Sequence, residues 1–284
     1  MDELKVNDSE IGTRLDVFAN KNLSSLTRSA VSKLISNGKI LVNGNIEKSG
    51  YKIRRSDKIK IDYRESDYQI PKINLPIIYE DDDVIVVDKP AGLLTHSKGV
   101  FNPEATIASF IEDKIDPELI GQRSGIVHRL DRDTSGVIIC AKNPSAKSFL
   151  QRQFSQRKAK KKYLAIVEGT PKHDEAIIKL PIARNPKQPQ TFRVDPNGKT
   201  AETRFRIIKR NKNQTLVELM PVTGRTHQLR VHMAHLGHPI VGDKLYGTTE
   251  KNLMLHANTL EITIPNGVRK TFSSKPPKYL KFSK

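Results

Sequence analysis

The spacing of apolar and polar residues predicts a small α/β fold at the start of the chain. One helical face is formed by apolar side chains at Leu26, Ala30, Val31, Leu34 and Ile35. Gly38 follows at the position where a helix commonly ends. The apolar run Ile40–Val42 then meets the tight-turn pair Asn43–Gly44, and Lys58–Asp62 alternates polar and apolar residues as a strand does. We therefore expect residues 1–62 to form one small domain.

The rest of the chain has a different pattern. Residues 63–76 are polar, contain two prolines and show no sustained period, which predicts a linker. The strand-like runs Ile77–Tyr79 and Val84–Val87 flank four acidic residues, which we interpret as a solvated hairpin turn rather than a cation site. Short β-type runs then alternate with a few helices, one of them expected over Ala146–Arg157. The predicted fold class is α+β, and residues 77–284 are expected to form a larger, mainly antiparallel-sheet domain.

The charge balance indicates a class of partner. Lysine and arginine number 49 against 31 acidic residues, which gives a net charge of +18. Such an excess favours a polyanion, either nucleic acid or an acidic membrane face, although a well-solvated basic surface is the alternative. No apolar run approaches the roughly 20 residues that span a membrane.

The single cysteine and the N-terminal sequence indicate the compartment. Cys140 stands alone, which excludes a disulfide within the chain and a cysteine-based zinc site. It lies in an apolar run and is expected to be a small buried hydrophobe. The first residues show neither a secretory nor a transit pattern, so we expect a cytoplasmic protein.

Two polar segments are the candidates for chemistry. Residues 125–136 place a polar loop between two apolar runs, which would hold the carboxylate of Asp131 on a rigid scaffold. Residues 221–232 contain Arg225 and Arg230, whose planar cations suit a carboxylate or a phosphate. An arginine beside Asp131 would keep that carboxylate ionised and oriented, as a nucleophile requires.

Several familiar sites are excluded by spacing. A calcium loop starting at Asp131 would need Glu at its twelfth position, where Lys142 stands. A phosphate-binding loop ending at Gly198–Thr200 would need glycine at Arg193. The crowded histidines, His227, His232, His235 and His238, have no acidic companion before Asp243, so no metal is expected.

A paired-carboxylate glycosidase site is a further alternative. Asp131 and Asp133 have a spacing that allows their side chains to share one face. The chain has no tryptophan and only 6% aromatic residues, a poor composition for a sugar-stacking cleft. We therefore interpret Asp133 as a residue that orients the loop.

Beyond these patterns, the chain resembles a known enzyme family in several ordered motifs. The run His128-Arg129-Leu130-Asp131-x-x-Thr134-Ser135-Gly136 is similar to the signature of the RluA family of pseudouridine synthases. The supporting motifs are Asp88–Leu93, Lys161–Gly169, Gly224–Arg230, Gly237–Gly247 and Leu253–Ala257. Near the N-terminus, the segments that resemble the alpha-L RNA-binding module of a ribosomal protein are Arg14–Asp16, Leu26–Ser29 and Leu34–Gly44.

The resemblance implies an activity and a set of roles. The family isomerises selected uridines in RNA to pseudouridine, with Asp131 as the essential carboxylate and Tyr163 stacked on the base, where it can also move a proton. Arg230 would pair with Asp131, with Arg225 as the alternative, and Leu229 would pack against uracil. Arg129 and Arg225 would hold phosphates or displaced bases. The residues expected to bind RNA in the N-terminal domain are Arg14, Thr27, Arg28, Lys33 and Asn43.

The resemblance implies no cofactor and no metal, and it leaves other points open. RNA is the expected partner, with large-subunit ribosomal RNA ahead of transfer RNA, and a monomer is the simplest state. Whether the carboxylate attacks the sugar or the base ring is not decided by the sequence. The competing functions are a non-catalytic RNA-binding or ribosome-assembly protein and a hydrolase that releases the base with the same carboxylate.

Overall fold

A computed structural model describes residues 2–23, 26–63, 70–97, 104–121, 123–247 and 252–282 of the chain. These residues divide into two compact units, one built on Met1–Pro71 and the other on Lys72–His96 with Ala105–Lys284. Most of the expected linker, residues 64–69, lies outside the described residues. Residues 70–76 contain neither helix nor strand.

The first unit is a three-stranded antiparallel sheet with two helices. Its elements are β1 (Asp2–Lys5), α1 (Leu15–Asn22), α2 (Arg28–Ser36), β2 (Ile40–Val42) and β3 (Lys58–Ile61). β3 lies in the centre, between β1 and β2. The apolar face of α2 packs into the core as its spacing predicts, and Gly38 follows the helix with a left-handed φ of 70°. The sequence of β1 shows no alternation of apolar and polar residues that would predict a strand. The strand pairs with β3 in the structure.

The second unit is built on one large mixed sheet. Its elements are β4 (Ile77–Glu80), β5 (Val84–Lys89), α3 (Ile107–Ile111), β6 (Ser135–Ala141), α4 (Pro144–Ser155), β7 (Lys160–Glu168), β8 (Glu175–Lys179), β9 (Ile182–Arg184), β10 (Phe192–Val194), β11 (Glu202–Arg210), β12 (Gln214–Pro221), α5 (Gln228–His235), β13 (Leu255–Thr263) and β14 (Arg269–Ser273). Within the described residues, nine strands form the sheet in the order β4-β5-β6-β13-β7-β12-β11-β8, with β14 beside β13. Every pair is antiparallel except β6 with β13.

The strands β5 and β6 are buried on both faces, which explains their nearly continuous apolar sequence. Val86 and Ile139 pack on one face with residues of α4, whereas Val87 and Ile138 pack on the other face with residues of α3. Cys140 belongs to the second cluster and is fully buried. Burial raises the pKa of its thiol, so the residue is a small hydrophobe as predicted.

Two local features differ from or refine the sequence prediction. The helix expected over Ala146–Arg157 is observed at Pro144–Ser155. It begins earlier because Asn143 caps it by accepting from the Ala146 amide at 2.8 Å. Arg157 lies beyond the helix with a left-handed φ of 59°. The acidic turn between β4 and β5 is a hairpin turn, in which Asp81 Oδ1 accepts from the amide of Val84 at 2.8 Å.

The parallel pairing of β6 with β13 fixes the loop that precedes β6. Gly136 lies against Ala257 with a φ of 115°, and a Cβ there would meet the Ala257 carbonyl oxygen at 2.2 Å. Only glycine permits this approach. Among the helices that the structure describes, none is long and apolar enough to cross a membrane.

Candidate active site

Side chains from several segments line an open cleft in the second unit. The cleft has a volume of about 460 Å³. Its walls come from residues 127–134, which precede β6, from residues 221–230, which lead into α5, and from β7, with the C-terminal end of α4 at the margin. The structure brings together here all six residues predicted for catalysis and substrate binding: Asp131, Tyr163, Arg230, Arg129, Leu229 and Arg225.

Buried backbone contacts hold the loop that carries Asp131. Leu130 is buried, and Thr95 Oγ1 donates to its carbonyl at 2.9 Å and accepts from its amide at 3.2 Å. The amide of Thr134 donates to the Asp131 carbonyl at 3.1 Å, which closes a turn just before β6. The Asp131 side chain remains 19% exposed. The carboxylate is therefore fixed by its backbone and still reaches the cleft.

A fully buried lysine joins this loop to the turn after β5. Lys89 Nζ donates to the carbonyl oxygens of Pro90, Leu93 and Arg132 at 3.0, 2.8 and 2.9 Å. Burial lowers the pKa of Lys89, but three acceptors require three N–H donors, which only the ammonium form supplies. Lys89 therefore ties the Asp131 loop to the turn after β5.

Arg230 lies between two carboxylates. Its Nη1 is 3.7 Å from Asp131 Oδ2, which is an ion pair rather than a hydrogen bond. Its Nε and Nη2 donate to the two oxygens of Asp243 at 2.7 and 2.6 Å, and Asp243 is fully buried. The hydrogen-bonding partner of Arg230 is thus Asp243, and Asp131 faces the remaining amino group of the guanidinium.

His227 approaches Asp131 from a second side. It precedes α5 with a left-handed φ of 56°, which a residue other than glycine rarely adopts. Its Nδ1 is 2.8 Å from the hydroxyl of Tyr246, which already accepts from the amide of Phe192 at 2.7 Å. The carboxylate of Asp131, whose Oδ2 is 3.9 Å from Nε2, favours the tautomer with the ring proton on Nε2, and the Tyr246 hydroxyl then donates to Nδ1. Burial lowers the pKa of His227, which favours this neutral ring.

Tyr163 enters the cleft from β7. Its side chain packs against two apolar clusters, one containing Ala257 and the other containing Leu229. Burial, and secondarily the charge of Asp131, raises the pKa of Tyr163. The phenol is therefore protonated at neutral pH and can donate or relay a proton while its ring presents an apolar surface.

The other predicted residues occupy distinct positions around the same cleft. Leu229 is buried in the first turn of α5, and Arg129 is exposed. Arg225 Nε donates to the carbonyl of Thr200 at 3.0 Å. Of the two candidate arginines, the structure thus places Arg230, and not Arg225, beside Asp131.

The histidines that lie close together in the sequence have different hydrogen-bond partners in the structure. His232 is buried and bonds Thr203 Oγ1 and the Leu180 carbonyl, each at 3.0 Å. His238 Nδ1 bonds the carbonyl of Glu168 at 2.9 Å. No group of three or more potential ligands is arranged for a metal within the part of the chain that the structure describes.

The residues expected to bind RNA in the first unit fall into two groups. Arg14 and Arg28 are half exposed and share the buried carboxylate of Asp16, at 3.0 Å in each case. Lys33 is exposed on α2. The other two serve the fold: Thr27 Oγ1 accepts from the Ala30 amide at 3.3 Å, and the side chain of Asn43 bonds Asp57 at 2.9 Å.

Sequence reasoning missed Asp243, His227 and Tyr246 as parts of the site. All three lie in the motifs Gly224–Arg230 and Gly237–Gly247, but the sequence predicted no role for them in the site. A usable signal was present, because an arginine that orients a carboxylate has further donors that need an acceptor, and Asp243 is the first carboxylate after Arg230 in the chain.

Comparison with known proteins gives consistent matches to both parts of the chain. A sequence profile of the family described as RNA pseudouridylate synthase matches residues 83–235, and a profile of the S4 domain matches residues 13–59. The first match includes every residue of the cleft named above except Asp243, Tyr246 and Ala257.

Individual proteins extend the similarity over nearly the whole chain. Ribosomal large subunit pseudouridine synthase D of Borreliella burgdorferi is 38% identical over 95% of this chain and 88% of its own length. A protein of Aquifex aeolicus named as an uncharacterized RNA pseudouridine synthase is 39% identical over 86% of this chain and 79% of its own. The solved structure of human RNA pseudouridylate synthase domain containing 1 has a TM-score of 0.61 and 28% identity, over 73% of this chain and 86% of the human one.

Proposed function

The chain belongs to the RNA pseudouridylate synthase family, and on that premise we propose that it isomerises uridines of large-subunit ribosomal RNA with Asp131 as the essential carboxylate. The reaction detaches uracil from its sugar and rejoins it through carbon 5, so the product has the same atoms as the substrate. The N-terminal S4 domain would add affinity for RNA.

The observation that carries the assignment of Asp131 is its ion pair with Arg230 inside the cleft, at 3.7 Å. Arg230 is held on its other side by Asp243, so its position does not depend on Asp131. A fixed guanidinium favours the ionised form of a nearby carboxylate, and an ionised carboxylate can attack an electrophilic carbon and leave again. This holds for attack on the sugar and for attack on the base ring.

Tyr163 and Leu229 would enclose the extruded uracil. Both pack in the same apolar cluster and both line the cleft, which supports contact with the two sides of one flat ring. The protonated phenol of Tyr163 is a suitable group to move a proton when the base rejoins the sugar through carbon 5.

Extrusion of the base costs a few kcal/mol, and basic side chains would offset that cost through phosphate contacts. We assign this role to Arg129 and Arg225 at the cleft, and to Arg14, Arg28 and Lys33 in the first unit. Thr27 and Asn43 would act by shaping that surface, because their side chains are hydrogen-bonded within the fold.

The choice of ribosomal RNA rests on the similarity to ribosomal large subunit pseudouridine synthase D of Borreliella burgdorferi and of Salmonella typhimurium, the latter 36% identical over 85% of this chain. Transfer RNA is the second candidate. We further propose that the protein works as a monomer in the cytoplasm, without a cofactor.

Mapping of pseudouridines in RNA from a strain that lacks the protein tests the substrate. The proposal expects one or more sites in large-subunit ribosomal RNA to revert to uridine, and to be restored by the wild-type gene. Loss confined to transfer RNA would move the assignment to that substrate, and unchanged maps of both RNAs would reject both.

A further inference from the structure

Lys161 also lines the cleft, and the proposed function gives it no role. It precedes Tyr163 by two residues on β7, so both side chains lie on the same face of the sheet, and both line the cleft. Its hydrogen-bonding contact is the carbonyl of Thr223 at 3.5 Å, which is longer than a good hydrogen bond.

The two adjacent lysines of β7 each form an ion pair, and Lys161 does not form one with any described residue. Lys160 pairs with Glu261 at 3.4 Å and Lys162 pairs with Glu218 at 3.8 Å. Lys161 forms no ion pair with any residue that the structure describes, although it is the least exposed of the three. Burial lowers the pKa of Lys161 to about 8, and no nearby carboxylate opposes that effect.

The groups close to Lys161 add no negative charge. The ring of His128 is stacked on Phe154 at 4.6 Å between centroids, and burial, followed by the charge of Lys161, lowers the pKa of His128 to about 3. The surroundings of Lys161 therefore oppose its charge in the free protein.

An enclosed ammonium without a partner destabilises a fold unless a ligand supplies the opposite charge. Asp131 does not do so, since the carboxylate faces Arg230 and His227 instead. In the proposed function the ligand of this cleft is RNA, and the anionic group of RNA is the phosphodiester.

We propose that Lys161 binds a phosphodiester of the RNA strand that enters the cleft, next to the nucleotide whose base is extruded. This assignment rests on the proposed function, because it takes the RNA to be the occupant of this cleft. In this arrangement the extruded base lies against Tyr163, close to Asp131, and the ammonium of Lys161 holds the neighbouring phosphodiester of the RNA backbone.

The substitution Lys161→Met tests this role, with Lys162→Met as the matched control that removes one charge from the adjacent position of the same strand. The proposal expects Lys161→Met to weaken RNA binding about tenfold and to reduce the slope of log affinity against log salt by about one. The control is expected to bind as the wild type does. The melting temperature of Lys161→Met should equal or exceed that of the wild type, because an unpaired charge is removed.

A second measurement identifies the phosphate and does not depend on stability. RNAs with a single methylphosphonate near the target uridine lack one negative charge each. One of them should lose about tenfold in affinity for the wild type and nothing further for Lys161→Met. A merely distorted site would lose affinity for all RNAs alike, so additive losses at every position would overturn the proposal.

Wild-type affinity and salt dependence in Lys161→Met would also overturn it. Because binding is measured without turnover, the result is separable from the proposed reaction. Absence of pseudouridine with the wild-type protein would reject the proposed function, whereas the affinity data would still decide whether Lys161 contacts a phosphate.

Discussion

The carboxylate of Asp243 accepts two hydrogen bonds, of 2.6 and 2.7 Å, from the guanidinium of Arg230, and both residues are buried. This pair leaves one amino group of Arg230 directed at Asp131, 3.7 Å away. The carboxylate in the cleft is therefore oriented by a cation that is itself fixed from behind. We therefore expect substitution of Asp243 to lower the stability of the fold as well as the activity.

Replacing Asp243 with asparagine should destabilise the protein strongly. The buried Arg230 would lose its charged partner, which typically lowers the free energy of unfolding by about 3 kcal/mol. Urea unfolding of Asp243→Asn measures this effect. The control is Asp174→Asn, whose ion pair with Arg210 is on the surface and should contribute little. Equal stability of the two variants would contradict a structural role for the Asp243–Arg230 pair.

Replacing Tyr246 with phenylalanine should affect both stability and rate. The amide of Phe192 would lose its acceptor, a loss of about 1–2 kcal/mol. The ring of His227 would lose the donor that fixes its tautomer, so turnover should fall several-fold while RNA affinity is kept. Nitrogen NMR of the His227 ring checks the cause: a proton on Nε2 is expected in the wild type and a mixture of tautomers in Tyr246→Phe. A wild-type ring protonated on Nδ1 would refute the assignment.

Glycine at position 136 should be indispensable for the fold. Gly136→Ala would place a methyl group 2.2 Å from the backbone oxygen of Ala257, and the parallel pairing of β6 with β13 would have to separate. We expect a loss of at least about 3 kcal/mol in the free energy of unfolding. Gly267→Ala is the control, because its φ of 82° is similarly left-handed but open space surrounds it, so about 1 kcal/mol is expected. Comparable melting temperatures for the two variants would contradict this account.

The charge of Lys161 should appear in the pH dependence of stability. Its pKa is lowered to about 8 in the folded protein, against about 10.4 in an unfolded chain. Between these values the unfolded state binds more protons, so the stability of the wild type relative to Lys161→Met should rise with pH, by on the order of 2 kcal/mol. The destabilisation caused by the buried charge of Lys161 is fully present below pH 8. Parallel unfolding curves of the two proteins from pH 7 to pH 10 would show that Lys161 keeps its ordinary pKa.

Local patterns were sufficient to predict much of this fold. The continuous apolar runs of β5 and β6 indicate strands buried on both sides, and the apolar face of α2 with Gly38 behind it defines a helix and its end. The position of Asp131 between buried segments also follows from the sequence alone. Each of these features depends on residues close together in the chain.

The features that sequence could not supply depend on residues brought together by folding. The role of Asp243 requires α5 and the following turn to face the Asp131 loop, and three carbonyls from two separate turns surround Lys89. The strand β1 exists because β3 offers an edge to pair with. The left-handed backbone of His227 is likewise imposed by its surroundings, since no local glycine or asparagine signals it.

The most direct test of the central claim compares Asp131→Asn with the wild type on large-subunit ribosomal RNA, with Asp133→Asn as the matched control in the same loop. The account predicts that Asp131→Asn binds RNA within a few-fold of the wild type and forms pseudouridine at least about 10³-fold more slowly, while Asp133→Asn retains activity. Pseudouridine formation by Asp131→Asn at a rate near that of the wild type would contradict the account, as would release of free uracil by the wild-type protein.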